Sequence, residues 1–576
     1  MQSPSQRALV TALVLLASSL GLRAQSIDQS KGRDPNVDYS SLALFGPWDD
    51  RNYDLDREDV ALLAPAAKEF AQSEAIPAFY RVELRREFIF AHSGPVMYPR
   101  SGLPSFFNKY RGYLVEGRFF RAASRQADRW QVDLDSSSWD DTEYVAEFLS
   151  GEVRVTSPNG AAESAIAVNP VDPELIIAGT NGPSGGQNMH FSSDGGESWT
   201  NAGSLVGSCC DPTVGWSSDG TIAYTSTLQI PELFFYRSTD DGQTWIDQVQ
   251  VDDGGGFVDK QYLHVDLSAS SAHLDNLYHT WHESNVLHFS RSIDLGLSWS
   301  TPITLSGSGQ AGIGSDITTD TAGNVYFFWP AFSAKKIFVR KSTDGGANFQ
   351  AAVEVGDTED GFDFAIPVME TRRVFIYNSA DADRTGGEFD GRVYVAWTDA
   401  TAPESSTNNN HARIRVAFSD DSGASWNVST PHETADEETV DRFHQWLAVA
   451  GDGSVHLIFY DTRRDLPDRN QVDIFRTVSN DGGVSWSPPQ LTTSVQSPNP
   501  TDGFEWGDYN GLDAVGQDLI SIFTDNRDEL GGDPLSLDVY STGFMAGLFA
   551  DNFESGDTSA WSTVVGDVTA WSASVP

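Results

Sequence analysis

Three features of the sequence predict an all-β chain folded as a seven-bladed β-propeller. One turn pattern recurs six times, strand-like segments lie between its copies, and glycine (51) and proline (26) are plentiful in 576 residues that hold few long apolar helical stretches. The pattern is Ser, any residue, Asp, any, Gly, two of any, then an aromatic. Its copies are SSDGGESW (192–199), STDDGQTW (238–245), SIDLGLSW (292–299), STDGGANF (342–349), SDDSGASW (419–426) and SNDGGVSW (479–486). Their first residues are 46, 54, 50, 77 and 60 positions apart. Such a period marks one supersecondary unit repeated with variable loops.

Each copy has a local physical use. The aspartate accepts backbone N–H groups across a tight turn, the glycine permits positive φ, and the aromatic is expected to pack over its own hairpin. Asp194, Asp240, Asp294, Asp344, Asp421 and Asp481 therefore read as turn residues rather than catalysts. Strand-like segments rich in β-branched and aromatic residues precede the copies. Examples are PTVGWSS, TIAYTSTL and LFFYRS in one unit, and QWLAVAGDG, VHLIFYDT and VDIFRTVS in another. A fourth strand after each motif, as in WSPPQLTT, completes a four-stranded antiparallel blade.

After the sixth motif, YNGLDAV, DLISIFTD and LDVYSTGF form a seventh unit with neither the turn motif nor a last strand. GEVRVTS, Gly151 to Ser157, is the candidate for that strand, which would join the two ends of the ring and remove an open edge. A six-bladed ring with one irregular unit is the alternative.

The flanks differ from the repeat. Arg7 followed by the apolar run Ala8 to Gly21, with the small Ala24 at a plausible cleavage point, reads as a secretory signal peptide over residues 1–24. The expected location is therefore extracellular or periplasmic. No other run approaches the ~18 apolar residues of a membrane helix. Residues 26–150 carry no turn motif. DREDVALLAPAAKEFAQSE reads as a helix, and IPAFYRVELRREFIF and GYLVEGRFFRA read as strands, so a small α+β module is expected there. The ring itself is assigned to residues 151–547 and a C-terminal tail to residues 548–576.

With 37 Lys+Arg against 82 Asp+Glu, the net charge of −45 disfavours nucleic acid and anionic membrane surfaces as partners. The hydrophobic fraction of 39% and aromatic fraction of 11% exclude a disordered acidic chain. The only cysteines, Cys209 and Cys210, are adjacent. They read equally as a vicinal disulfide or as two thiols, and their spacing suits neither zinc nor a cysteine nucleophile.

In a four-stranded blade the turn motifs mark one face of the ring, and the starts of the inner strands lie on the opposite face near the axis. An acid stands at most of those starts: Glu163, Asp211, Asp259, Asp316, Asp441, and Glu505 with Asp508. The ends of the second strands supply His282 with Glu283, Asp399, Asp461 with Arg463, and Asp525 with Arg527, with Arg442, His444, Tyr460 and Tyr509 beside them. In one reading these acids and arginines pair between blades and hold the ring together. In the other, the face is a polar funnel. Arg442, Arg463 and Arg527, with Asp461 and Asp525, would bind substrate there, since a guanidinium fork matches a carboxylate. Tyr509 or Tyr460 with Glu505 would be a nucleophile pair, and Asp259 or Asp211 the acid/base. A ring of carboxylates also suits Ca²⁺, although no EF-hand or RTX-type loop is present.

The six motifs are Asp-boxes, and residues 151–547 resemble the Asp-box (BNR-repeat) β-propellers, of which sialidases are the best-known enzymes. AESAIAVNPVDPELIIAGTN, DKQYLHVDL, HQWLAVAGDGSVHLIFYDTRRD and GDYNGLDAVGQDLISIFTDNRD are similar to segments of exported bacterial sialidase-like proteins. The resemblance implies a glycan or glycoconjugate as partner and, for an enzyme, exo-α-sialidase-like glycoside hydrolysis with three arginines, a Tyr–Glu pair and an Asp. The Arg-Ile-Pro tripeptide that usually carries the first sialidase arginine is absent from this chain. A non-catalytic propeller scaffold and a two-carboxylate polysaccharide hydrolase or lyase are the other expectations.

Overall fold

A computed structural model describes residues 152–545, apart from the short segments 157–160, 183–185, 230–231, 253–257, 284, 308, 404–409, 500–504 and 528–536. In the N-terminal flank it describes only the backbone of a three-stranded sheet, Gly112–Val115, Arg118–Gln126 and Arg129–Val132. The strands expected in GYLVEGRFFRA lie in that sheet. The expected signal peptide, the helix near residues 56–74, the strands near 77–90 and the tail from 548 lie outside the described residues.

Seven four-stranded antiparallel blades form the ring, as the repeat predicts. Their inner strands are Ala162–Val168, Thr213–Trp216, Val258–Val265, Asp316–Thr319, Asn378–Ala382, Arg442–Val449 and Gly511–Val515. Each inner strand packs on the next, and the seventh returns to the first. The seventh blade runs Gly511–Val515, Asp518–Asp525, Asp538–Met545, and its outer strand is Glu152–Arg154 from the far end of the chain. The register pairs Tyr540 with Arg154, Ser541 with Val153 and Thr542 with Glu152. The ring is thus closed by hydrogen bonds between its two ends, and the open edge the sequence left is covered.

The six turn motifs connect third to fourth strands and share one geometry. In the third copy Asp294 accepts the Ser298 N–H at 2.9 Å and the Ser292 hydroxyl at 2.7 Å on one oxygen, and the Ser298 hydroxyl at 2.6 Å on the other. These bonds to the charged form hold the aspartate below the usual carboxylate range, against burial, which acts the other way.

The motif aromatic does not lie over its own hairpin. It crosses to the preceding blade: Trp299 meets Phe235 edge-on at 5.1 Å, Phe349 meets Phe289 at 4.8 Å, and Trp426 meets Phe328 at 5.5 Å. Trp199 donates its indole N–H to Ser541 of blade seven at 2.9 Å, and Trp486 donates to Ser429 of blade five at 3.0 Å. The motif glycine follows the same direction. Gly296, at φ +81°, is so close to Phe235 that a Cβ there would sit 2.2 Å from the ring. Each turn therefore clamps its blade onto the one before it.

The 77-residue step between the fourth and fifth motifs contains an extra hairpin, Asp363–Ile366 paired with Met369–Phe375. It rises from the end of blade four on the face opposite the turn motifs. Phe332, Phe362, Phe375 and Tyr377 form an aromatic chain at its base, with ring centroids about 5 Å apart. Among the described residues no helix is long and apolar enough to cross a membrane.

Candidate functional site on the propeller axis

The starts of the inner strands meet on the axis, and their backbone is bent to aim side chains there. Glu163, Lys260 and His444 each sit at a register shift in the first-to-second strand pairing of blades one, three and six, with φ of +52°, +47° and +50°. Asp211 (φ +59°) and Glu505 (φ +54°) share that left-handed conformation. For residues with a Cβ this conformation costs on the order of 1 kcal/mol or more each, and such strain concentrates where side chains must be re-aimed.

Asp211 is the hub of the cluster. It follows Cys210 directly, and Cys209 and Cys210 are joined by a disulfide. Its N–H donates to Asn181 of blade one at 2.7 Å. Its carboxylate accepts the Lys260 N–H of blade three at 3.1 Å and the Tyr509 hydroxyl at 3.4 Å. The same Lys260 N–H also donates to the Asp259 carboxyl, at 2.9 Å. Burial, and then the Asp211 charge, push Asp259 well above the usual carboxylate range. The Asp259 side chain is 17% exposed and faces the funnel, and neutral His282 lies 3.7 Å away.

Lys260 places its ammonium 3.2 Å above the centre of the Tyr509 ring, with the Tyr262 and Tyr377 rings at 5.0 and 5.2 Å. Arg372, from the inserted hairpin, reaches over the axis. It pairs with Glu163 of blade one and with Asp508, and its backbone N–H donates to Glu505 at 3.1 Å. Burial pushes Glu163 well above its ordinary value, with Arg372 opposing. Burial also raises Tyr509 and Tyr377.

Two residues farther along their strands, Tyr262 and Trp446 stack at 5.3 Å and line the top of a lower axial cavity of about 170 Å³. There Asp316, Asp381 and Asp513 each clasp a backbone N–H of the next blade: Ala380, Val449 and Val168, at 2.7, 2.8 and 2.7 Å.

The residues singled out in the sequence divide into two groups. Asp211, Asp259 and Tyr509 come together on the axis. Glu505 is near, but the acid on the Tyr509 hydroxyl is Asp211, while Glu505 accepts from Arg372 and from Asn499 at 3.4 Å. Arg442, Arg463 and Arg527 are held by protein carboxylates. Arg442 and Arg463 share Asp461 at 2.9 and 2.8 Å, and Arg442 also binds Asp436 at 2.8 Å. Arg527 forks onto Glu152 at 3.0 Å through two nitrogens and binds Asp525 at 2.8 Å. Asp461 and Asp525 are thereby engaged as arginine partners. Tyr460 is buried and donates to the Thr524 carbonyl at 2.6 Å.

Lys260, Arg372 and Tyr377 were not singled out in the sequence. The long step between motifs four and five was the available sign of the hairpin that carries Arg372, and Lys260 lies beside Asp259 in DKQY. Among the described residues no group of three or more His, Cys, Asp or Glu side chains is arranged to hold a metal ion.

Fold and site together define a closed seven-bladed propeller whose axis, on the face away from the turn motifs, carries a carboxyl whose pKa burial raises, a carboxylate-bound tyrosine and a lysine. Comparison with known proteins adds the following. A family model described as a domain of unknown function (DUF8300) matches residues 38–124. No curated protein matches the chain. Similar solved structures include a leech intramolecular trans-sialidase complexed with 2,7-anhydro-Neu5Ac, at 11% identity and TM-score 0.40, covering 60% of this chain and 77% of that one. The BP39L lectin from Burkholderia pseudomallei is similar at 10% identity and TM-score 0.45, covering 68% and 97%. An α-L-arabinofuranosidase from Fusarium graminearum is similar at 11% identity and TM-score 0.36, covering 58% and 92%. At these scores the likeness carries no functional argument, and the reading below rests on the site.

Proposed function

We propose that the chain is an exported glycoside hydrolase acting on extracellular glycans at the upper end of the propeller axis. In this reading Asp259 is the proton donor, Tyr509 the nucleophile and Asp211 the base that takes the phenolic proton. The observation that carries it is the contact set at Asp211, whose carboxylate accepts the Tyr509 hydroxyl and shares the Lys260 N–H with Asp259. A tyrosine nucleophile is a known departure from the two-carboxylate scheme of glycosidases. The Tyr509 oxygen bonds to the anomeric carbon as the glycosidic C–O bond breaks. The leaving oxygen takes the Asp259 proton, and the Tyr509 proton passes to Asp211. Water then attacks the anomeric carbon and returns one proton to Asp259, while Tyr509 recovers its own from Asp211.

Four guanidiniums on this face already hold protein carboxylates, which favours neutral sugars over carboxylated ones. Export is supported by the Ala8–Gly21 run and by the Cys209–Cys210 bond, which persists in oxidising compartments. The test is a panel of fluorogenic neutral glycosides and a sialoside, read with wild type and D259N. D259N is expected to lose about 10²–10⁴-fold on ordinary leaving groups and to recover most of that on dinitrophenyl glycosides, which leave without a proton. Wild-type activity should fall as pH rises through the Asp259 pKa, because the deprotonated acid cannot donate. Binding of glycans with no turnover by wild type would place the chain with non-catalytic carbohydrate-binding scaffolds.

A further inference from the structure

Among the described residues Lys260 is a cation of this face with no carboxylate in an ion pair with it. Among the described residues its ammonium makes no hydrogen bond and no ion pair, yet the residue is only 4% exposed. Buried ammonium groups are ordinarily paired or hydrogen-bonded. Here the partner is a ring face, since the nitrogen sits 3.2 Å from the Tyr509 centroid, inside the range of a close cation–π contact. The position is imposed by the backbone. Lys260 lies in the left-handed region at φ +47°, at the register shift between Asp259 and Tyr262. The same N–H that would otherwise extend the strand donates to the Asp211 and Asp259 carboxyls, at 3.1 and 2.9 Å. One bulge therefore sets the ammonium over the Tyr509 ring and ties the Asp211 and Asp259 carboxyls to a single N–H.

We propose that Lys260 is a positioning residue that activates Tyr509 through its ring, the ammonium stabilising the phenolate from the π face while Asp211 accepts the proton at the hydroxyl. This rests on the glycosidase reading above. The physical basis is differential. A neutral phenol offers the cation only its quadrupole, whereas a phenolate spreads a full negative charge over the same ring carbons, so the contact strengthens as the nucleophile forms. Tyr262 and Tyr377 flank the ammonium with their rings at 5.0 and 5.2 Å.

The groups that face the ammonium set its titration. Asp211 of blade two, Asp508 ahead of blade seven, Glu163 of blade one and Asp316 of blade four favour the charged form. His282 and His444 are neutral, and Tyr262, Tyr377 and Tyr509 supply the rings. Burial outweighs the four acids and draws the amine below the ordinary lysine value.

The test uses the full chain and the 2-deoxy-2-fluoro glycosyl fluoride of the sugar released fastest in the glycoside panel. Fluoride leaves without a proton, so the step needs no Asp259. The Tyr509 oxygen–carbon bond forms, the carbon–fluorine bond breaks, and the phenolic proton goes to Asp211. Mass spectrometry reads the rate at which Tyr509 acquires the glycosyl group. K260M is expected to label about 10–100-fold more slowly than wild type. K260R, which stays charged, should label within a few-fold of wild type and carry its alkaline limb to higher pH. Melting curves of both variants show that each is folded. Labelling of K260M at the wild-type rate overturns the proposal, as does K260R being as slow as K260M with an unmoved alkaline limb. If wild type hydrolyses glycosides while K260M matches it, this inference alone fails. If wild type neither hydrolyses the panel nor is labelled, the glycosidase reading fails and takes this one with it.

Discussion

Replacing Arg527 by alanine separates two uses of a buried guanidinium, binding a substrate carboxylate or closing the ring. The Arg527 side chain is 7% exposed and lies 4.2 Å over the Tyr540 ring. Its two terminal nitrogens fork onto Glu152 at 3.0 Å, and one also meets Asp525 at 2.8 Å. Glu152 belongs to the closing strand, and its carboxylate also receives the Ser494 N–H at 3.2 Å. R527A would leave two buried carboxylates without their cation, a loss of about 3–5 kcal/mol. With an unfolding entropy of about 2.1 cal/mol/K per residue over roughly 390 residues, each kcal/mol moves the midpoint by about 1.2 °C. The expected fall in Tm is therefore about 4–6 °C by differential scanning calorimetry. Adding E152Q to R527A should restore part of it, because one stranded charge is then removed. A variant that melts with wild type but binds a sialoside less tightly would refute the closure argument and return Arg527 to the substrate-binding role.

Two more predictions follow from the lower cavity and the turns. Burial pushes Asp316 up to about 7, so below that pH the folded chain favours its protonated form. The folded state then holds more protons than the unfolded state between about pH 4 and 7. Stability from this group is present below about pH 4 and is lost as pH rises through 7. The Tm of wild type minus that of D316N should accordingly decline across that window and then level off; a flat difference would contradict it. G296A should destabilise by about 2–3 kcal/mol in denaturant titration, since the new Cβ would press on Phe235 of the preceding blade at positive φ. Wild-type stability for G296A would mean that the turn does not lock adjacent blades.

Blade number and ring closure were legible because they follow from local chemistry. A Ser-x-Asp-x-Gly turn satisfies its own backbone wherever it stands, so six copies mark six hairpins, and a seventh unit lacking its last strand calls for Glu152–Arg154. Asp211, Asp259 and Tyr509 were legible for a related reason, since residues at inner-strand starts lie near the axis whatever the loops do. The partners were not. Tyr509 meets Asp211 rather than Glu505 because Asp211 takes a left-handed conformation that turns it inward, and no residue spacing announces that torsion.

The arginines make the same division plain. Local sequence set where Arg442, Arg463 and Arg527 stand, at the strand ends of blades six and seven. Packing chose their use: burial brought Asp436, Asp461, Asp525 and Glu152 within bonding distance, and a buried guanidinium binds the carboxylates that surround it. Arg372 arrived from an insertion that repeat counting registers only as excess length. The motif aromatics reached the preceding blade instead of their own hairpins for the same reason. Turn chemistry acts over a few residues and is written in the chain, whereas contacts between blades depend on how whole sheets twist and stack, which only the assembled ring decides.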